Sequence, residues 1–182
     1  MKKILLPLFS LFLLLVLTLS SCSVNNKEQD IYKNANGFEA VLSVTKGEEN
    51  FTFSVSRLKP DYFELNFTNP PILQNFYVIF SNGEVTLKYY GFELSLNRFP
   101  LPITNGISRI VDVLALLDDG FEKLELKSNQ DNELIYGGNG FTVSFSPETL
   151  LPISFEIETD DGESYKITVE SFALLTPDNF EN

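Results

Sequence analysis

The chain has 182 residues, of which 25 are acidic and 13 are basic, so its formal net charge is −12. A surface this acidic repels nucleic acid and anionic lipid headgroups, which excludes a nucleic-acid partner. The sequence contains no histidine and a single cysteine, Cys22. The commonest general base and metal ligand is therefore absent, and an internal disulfide is excluded.

The first predicted element is a secretory signal over residues 1–21. Lys2 and Lys3 precede an uncharged, mostly apolar run, residues 4–19, and the small residues Ser20 and Ser21 follow it. A basic start, an apolar centre and small residues at the end are typical of such a signal. The run is shorter than the roughly 20 residues that a membrane-spanning helix prefers, and a proline interrupts it.

The end of this signal, Leu19-Ser20-Ser21-Cys22, resembles the bacterial lipobox. The resemblance implies that Cys22 receives a diacylglyceryl thioether and becomes the N-terminus of a palmitate-labelled lipoprotein. Two or three acyl chains would hold the protein durably at the extracytoplasmic face of the cell membrane. The alternatives are an uncleaved signal anchor and a plain secreted protein.

The mature chain is even more acidic than the precursor. Loss of Lys2 and Lys3 leaves 11 basic residues against 25 acidic ones, a formal charge of −14. Attachment to the membrane would therefore depend on the acyl chains and not on a basic patch. The polar stretch 22–36 is interpreted as a tether, and residues 37–176 show no further break in composition, which predicts one domain.

Within this domain apolar residues alternate with polar ones, as in Phe63, Leu65 and Phe67. A period of two predicts antiparallel strands with one apolar and one solvent-facing side. Asn82-Gly83 is typical of a hairpin turn between two of them. About ten strands are expected, some merged or very short, from the candidates 38–45, 50–58, 61–68, 75–81, 84–90, 92–97, 121–128, 133–137, 140–146, 152–159 and 163–172.

One segment has a helical period instead. The stripe is formed by Ile107, Ile110, Val111, Leu114 and Leu117. It predicts a helix over about 106–118, with Asn105 as the N-cap and Gly120 as the stop. The predicted fold class is mainly β (α+β), a strongly curved antiparallel sheet in meander order, with this apolar helix against it. One helix cannot cover ten strands, so part of the apolar face is expected to form a groove or cavity.

The chain has 17 phenylalanines and no tryptophan, and most of the phenylalanines fall on the apolar side of the strands. They are interpreted either as an ordinary core or as the lining of a cavity that accepts a lipid or acyl chain. Both exclude water, so the pattern does not separate them. Arg57 would face a polar headgroup at the cavity mouth or lie on the surface at a strand end. The candidate ligand-binding residues are Phe51, Phe53, Arg57, Phe63, Phe67, Phe80, Phe92, Phe141 and Phe155.

Residues 51–91 resemble the signature region of the outer-membrane lipoprotein carrier superfamily, the LolA/LolB-like proteins. The matching features are Arg57 with Pro60, the strand Phe63 to Phe67, Pro70-Pro71, and Asn82-Gly83 with Tyr89. The resemblance implies an unclosed half-barrel with helices over its concave side, which binds acyl chains, lipoproteins or other apolar ligands. Unlike the soluble carrier, this chain has the features of an anchored protein and lacks a long N-terminal helix.

No catalytic motif is present, and neither an enzyme nor a cofactor is expected. Asp160-Asp161 lacks the spaced oxygen ligands of a Ca²⁺ loop, and the glycine-rich 136–140 precedes a strand and not the helix of a phosphate loop. Two functions from different classes remain open. The first is a membrane-anchored protein that binds an apolar ligand. The second is a structural or regulatory lipoprotein that binds a protein partner in the cell or spore envelope, resembling clostridial germination lipoproteins.

Overall fold

The structure, a computed structural model, describes residues 31–58, 61–96, 103–119, 124–130, 133–159 and 162–176. Cys22, the secretory signal, Pro60 and Gly120 lie outside these residues. Eleven antiparallel strands form one sheet. They are β1 (Gly37–Lys46), β2 (Glu49–Leu58), β3 (Tyr62–Asn69), β4 (Phe76–Ser81), β5 (Glu84–Tyr89), β6 (Phe92–Leu96), β7 (Glu125–Gln130), β8 (Glu133–Gly138), β9 (Phe141–Phe145), β10 (Pro152–Glu158) and β11 (Ser164–Leu174).

The predicted fold class is confirmed. The sheet is antiparallel and unclosed, with β6 and β7 at its two edges, and one helix packs against it. All the candidate strands are present, and their ends differ from the candidate bounds by at most four residues. Short connections such as Asn82-Gly83 join neighbouring strands, and a 3₁₀ turn at Pro71–Leu73, just after the cis Asn69–Pro70 peptide, joins β3 to β4.

The strand order differs from a simple meander. It runs β6-β5-β4-β3-β2-β1-β11-β10-β9-β8-β7, so the first and last strands are paired at the centre. Two meanders therefore meet at a seam between β1 and β11, which we call the central seam. Backbone hydrogen bonds from Asn36 N to Leu175 O (2.6 Å) and from Leu175 N to Gly37 O (2.9 Å) extend it. Alternation within a strand contains no signal for pairing between the chain ends, so the sequence did not predict the seam.

The helix, here α1, comprises Ile103–Ala115 and continues as a 3₁₀ turn over Leu116–Asp119. It lies between β6 and β7 in the chain and so connects the two edges of the sheet across its apolar side. Asn105 lies inside the helix, and its prediction as the N-cap is wrong. The apolar stripe begins at Ile107, so it does not show that the helix starts one turn earlier. The N–H groups of that first turn have no partner within the helix, and no sequence pattern is needed to form it.

The core lies between α1 and the apolar face of the sheet, and both halves of the sheet contribute to it. Fully buried side chains include Phe38 and Phe53 from one half and Phe145 and Phe155 from the other. The buried residues of β3 and β9 are alternate ones, as the period of two predicted. The apolar face thus does serve as a core, but the helix covers only part of it.

The end of the predicted tether belongs to this packed structure. Residues 31–33 are helical, and the Tyr32 side chain is only 2% exposed. Its ring packs edge-on against Phe172, and its hydroxyl donates a hydrogen bond to Leu150 O at 2.7 Å. Burial of this aromatic ring attaches residues 31–36 to the sheet, so the folded part begins before residue 37. Within the described residues no helix has the length and apolarity needed to cross a membrane.

Candidate functional site

A cavity of about 360 Å³ lies between the first half of α1 and the apolar face of β1 to β5. Apolar side chains form nearly all of its wall, with three polar side chains where it meets the solvent. The lining residues are Val44, Lys46, Glu49, Phe51, Phe53, Phe67, Leu73, Phe76, Val78, Leu87, Ile107, Ile110 and Tyr165. The sheet therefore supplies the floor of the cavity and the helix supplies its roof.

The floor is built by alternate residues of neighbouring strands. Phe53 of β2 is paired in register with Phe67 of β3, and the two ring centroids are 5.1 Å apart. The next ring, Phe76 of β4, is 5.6 Å from Phe67. This row of aromatic rings crosses three strands on one face, where rigid apolar surface is available without polar groups that need partners.

The roof approaches the floor closely at one point, because position 106 is a glycine. A Cβ atom at Gly106 would lie 2.5 Å from Cζ and 2.6 Å from the hydroxyl oxygen of Tyr165. A side chain at this position fits only if the Tyr165 ring moves, so the glycine allows the helix to rest on the tyrosine ring. Ile107 and Ile110 then point from the same helix into the cavity.

Charged and polar groups surround the opening of the cavity, which we call the rim: Lys46, Glu49, Glu163 and Tyr165. The Lys46 ammonium lies 2.7 Å from a Glu163 carboxylate oxygen and 5.6 Å from the centre of the Tyr165 ring. The Tyr165 hydroxyl donates to the same carboxylate at 3.2 Å. The hydrogen bond to Glu163 raises the pKa of Lys46, and burial raises the pKa of Tyr165.

Three of the predicted ligand-binding residues line the cavity: Phe51, Phe53 and Phe67. The structure places two others, Phe63 and Phe80, at a separate open depression between β3, β4, β5 and the second half of α1. They lie on the same face of the sheet as the first three but nearer the other end of their strands. The cavity is lined by the first half of α1, and the depression is lined by its second half.

The last three candidates lie elsewhere. Phe155 is fully buried in the core of the other half of the sheet, and Phe141 packs beside Gly138 on the same half. Phe92 is 80% exposed on edge strand β6, where α1 does not reach. All three obey the alternation that identified Phe53, but alternation gives the face of a strand and not its distance from the helix.

Arg57 is neither at the rim nor on the surface, because its side chain is buried, with 5% of the residue exposed. Its guanidinium forms an ion pair with Asp118 and lies 4.5 Å from the centre of the Phe63 ring. It also donates to the backbone oxygen of Tyr62 at 3.3 Å. The surface interpretation of Arg57 is therefore wrong, since the 3₁₀ turn after α1 covers it and provides a carboxylate partner.

Sequence reasoning missed most of the wall. Val44, Val78 and Leu87 occupy inward positions of β1, β4 and β5. The same alternation identifies them when it is applied to aliphatic residues as well as to the phenylalanines. The sequence predicts only that Tyr165 lies on a strand, because nothing local indicates that β11 borders β1 at the cavity. The rim residue Lys46 is missed for the same reason.

A second apolar feature lies beyond the cavity, on the surface of β5, β6 and the 3₁₀ turn before β4. Phe92 and Leu94, 80% and 56% exposed, share the inner face of the sheet with Tyr89, and Ile72 is also exposed nearby. The Tyr89 hydroxyl donates to Ile72 O at 3.1 Å. We call these four residues the apolar edge. Among the described residues no group of three His, Cys, Asp or Glu side chains is placed to hold a metal ion.

No protein-family model and no curated protein matches this sequence. Among solved structures, an uncharacterized conserved protein from Thermus thermophilus matches with a TM-score of 0.52 and 14% identity, over 80% of this chain and 83% of that chain. This likeness concerns the fold, which the two proteins share.

Two further solved structures match with lower scores. A LolA superfamily protein from Nitrosomonas europaea has a TM-score of 0.44 and 11% identity, over 85% of this chain and 97% of that chain. The structure of the CwlD amidase from Clostridioides difficile in complex with the GerS lipoprotein has a TM-score of 0.38 and 13% identity, over 95% of this chain and 94% of that chain. A LolA superfamily fold, expected from residues 51–91, is thus among the matching structures.

Proposed function

We propose that this protein is a non-enzymatic binding protein of the bacterial cell envelope that holds an apolar ligand, a lipid or an acyl chain, in the cavity beneath α1. The observation that supports this most directly is the cavity itself. Its volume of about 360 Å³ falls within the roughly 300–1,000 Å³ of small-molecule sites. Its wall is apolar, and polar groups occur only at the rim, which is the arrangement that an amphiphilic ligand requires.

Incomplete packing of an ordinary core does not account for a space of this size. Protein interiors are packed as densely as organic crystals, and voids larger than one water molecule are few. A water occupies about 30 Å³ of liquid, so this cavity is more than ten times as large. Its walls offer water few hydrogen-bond partners, so an apolar molecule that displaces water from the cavity is expected to bind favourably.

We propose further that the protein is held at the extracytoplasmic face of the membrane by a lipid on Cys22. Support comes from the lipobox resemblance of residues 19–22 and from the acidic charge, which provides no electrostatic attraction to anionic lipid. The Cys22→Ser variant should lose palmitate labelling and move from the membrane to the soluble fraction. Unchanged labelling of that variant would refute the anchor and leave the cavity proposal untouched.

Ligand binding is tested with the full chain held in a non-ionic amphipol and the uncharged fluorophore N-phenyl-1-naphthylamine. Leu87→Phe adds volume inside the cavity, and Leu126→Phe makes the same change on exposed β7. The fluorophore should bind the unmodified protein and the Leu126→Phe variant, and Leu87→Phe should weaken binding at least about tenfold, because the cavity is filled. Equal binding by both variants, each with unchanged thermal unfolding, would overturn the proposal.

The alternative function, binding of a protein partner, is favoured by one observation, the apolar edge. Exposed apolar groups concentrated in one patch are typical of interaction sites. A photo-crosslinking amino acid at position 92, in the native envelope, should then capture one specific protein, and Leu94→Asp should abolish the crosslink. The same amino acid at position 126 is the control. Crosslinking from both positions, or persistence with Leu94→Asp, would count against this alternative.

A further inference from the structure

The rim of the cavity has an excess of negative charge. It contains two carboxylates, Glu49 and Glu163, and one ammonium group, Lys46. Glu48 lies in the same β1–β2 hairpin and is exposed. These groups lie where the polar end of a ligand would come to rest, because its apolar part occupies the cavity and a charged end is not buried without a partner.

The one cation of the rim already has a carboxylate partner. Lys46 lies 2.7 Å from Glu163, and that carboxylate also accepts the Tyr165 hydroxyl hydrogen bond. An anionic ligand would have to displace Glu163 from Lys46, which exchanges one carboxylate for another and leaves Glu163 without its cation. The gain in electrostatic energy from such an exchange is small, while the number of negative charges at the rim rises by one.

The helix does not reverse this balance. The first turn of α1 lies over Tyr165, and the N-terminus of a helix corresponds to about half a positive charge. Two carboxylates against one ammonium and this partial charge leave the rim negative. The remainder of the chain adds to the same field, since its formal charge is −12.

On the basis of the ligand-binding function proposed above, we infer that the cavity selects apolar chains whose polar end is uncharged or cationic and discriminates against chains that end in a carboxylate or phosphate. A hydroxyl, amide or ammonium end can donate hydrogen bonds to Glu49 or Glu163. A carboxylate or phosphate end has no such donor and is repelled by both. The rim thus supplies the selectivity, and the apolar wall supplies the affinity.

Three amphiphiles with the same twelve-carbon chain test this inference: dodecanol, dodecanoate and dodecylammonium. Each is titrated against N-phenyl-1-naphthylamine bound to the full chain in non-ionic amphipol, below its micellar concentration or, for dodecanol, below its solubility limit. The Leu87→Phe variant provides the background from the amphipol. Dodecanol and the ammonium compound should displace the probe at concentrations about fivefold or more below that of dodecanoate, as expected for one repulsive charge near a solvated rim.

A matched pair of variants locates the effect. Glu49→Gln removes a carboxylate from the rim, and Glu170→Gln removes one from the exposed outer side of β11. Glu49→Gln should reduce the ratio of the displacing concentrations of dodecanoate and dodecanol at least about twofold. Glu170→Gln should leave this ratio unchanged. Equal effects of the two variants would show a general charge effect and overturn the inference.

The two proposals fail in different ways. If dodecanoate displaces the probe as well as dodecanol does, the selectivity is refuted and the cavity remains a ligand site. If neither the fluorophore nor any of the three amphiphiles binds, the ligand-binding function is refuted, and the selectivity with it.

Discussion

At the scale of single residues, Tyr32 shows how the segment before the first strand is held. Its ring is buried against Phe172, and its hydroxyl bonds to Leu150 O across the molecule. Burial raises the pKa of the Tyr32 hydroxyl well above its ordinary value. The folded protein therefore favours the protonated phenol more strongly than the unfolded chain does.

Replacement of Tyr32 by phenylalanine should lower the free energy of unfolding at pH 7 by about 1 kcal/mol, the net value of one hydrogen bond. The protonated phenol stabilises the fold below its unfolded pKa of about 10, and this contribution is lost as the pH rises further. Urea unfolding between pH 7 and 11 should thus show a steeper alkaline loss for the unmodified protein. Tyr90→Phe, at an exposed tyrosine, is the control, and parallel curves for Tyr32→Phe would contradict the assignment.

The buried ion pair of Arg57 and Asp118 gives a second prediction. Asp118→Asn leaves the buried guanidinium without its carboxylate and should lower the free energy of unfolding by about 2–3 kcal/mol. This is less than the roughly 3–5 kcal/mol expected for a fully buried pair, because the Asp118 side chain is 17% exposed. The double variant Arg57→Met/Asp118→Leu should cost less than the sum of its single changes. Urea denaturation of the unmodified protein, Arg57→Met, Asp118→Leu and the double variant measures this coupling, and simple additivity would contradict it.

At the scale of elements, α1 and its glycine decide the geometry of the cavity. Gly106→Ala should stabilise an isolated helix by about 1 kcal/mol. Here the added methyl group would meet the Tyr165 ring, so we expect the free energy of unfolding to fall by about 1–3 kcal/mol. Thermal unfolding measures this change. Gly106→Ala/Tyr165→Val should recover stability. Ser108→Ala, on the same helix, is the control, and stabilisation by Gly106→Ala alone would show that the helix does not rest on the tyrosine.

The strands follow from the sequence more directly than the position of the helix does. Alternation predicted every strand, because burial of one face imposes a period of two along each strand. It could not separate Phe53 in the cavity, Phe155 in the core and Phe92 on the edge, because their positions depend on where the helix lies. Arg57 and Asp118 are 61 residues apart, and no local pattern connects them. The rim could not be predicted for the same reason, since Lys46 and Glu163 meet only through the pairing of β1 with β11.

At the scale of the whole molecule, the sheet has two edges of different character. Polar residues dominate β7, where Glu125 and Lys127 form an ion pair, whereas β6 presents Phe92 and Leu94. Charged residues on edge strands oppose strand pairing between molecules, and β6 has few of them. We therefore expect that any association between copies of the protein occurs through β6 and not through β7.

Leu94→Lys should weaken concentration-dependent association at least about tenfold in sedimentation velocity, because a charge on β6 opposes edge contacts. Leu126→Lys changes the net charge equally on β7 and should have little effect. Both changes reduce the overall negative charge and its repulsion, so weaker association by Leu94→Lys alone cannot arise from net charge. Equal behaviour of the two variants would show that β6 is not the associating edge.

The central seam has a consequence for the order of folding. Each meander consists of contacts between strands that follow one another in the chain, and such hairpins close short loops. The pairing of β1 with β11 instead closes a loop of nearly the whole domain, where the loss of chain entropy is greatest. We therefore expect the two meanders to form first and the seam to join them last, a sequence of events typical of slow, non-local folding. The rim would then be assembled in that final step, since Lys46 and Glu163 come from opposite sides of the seam.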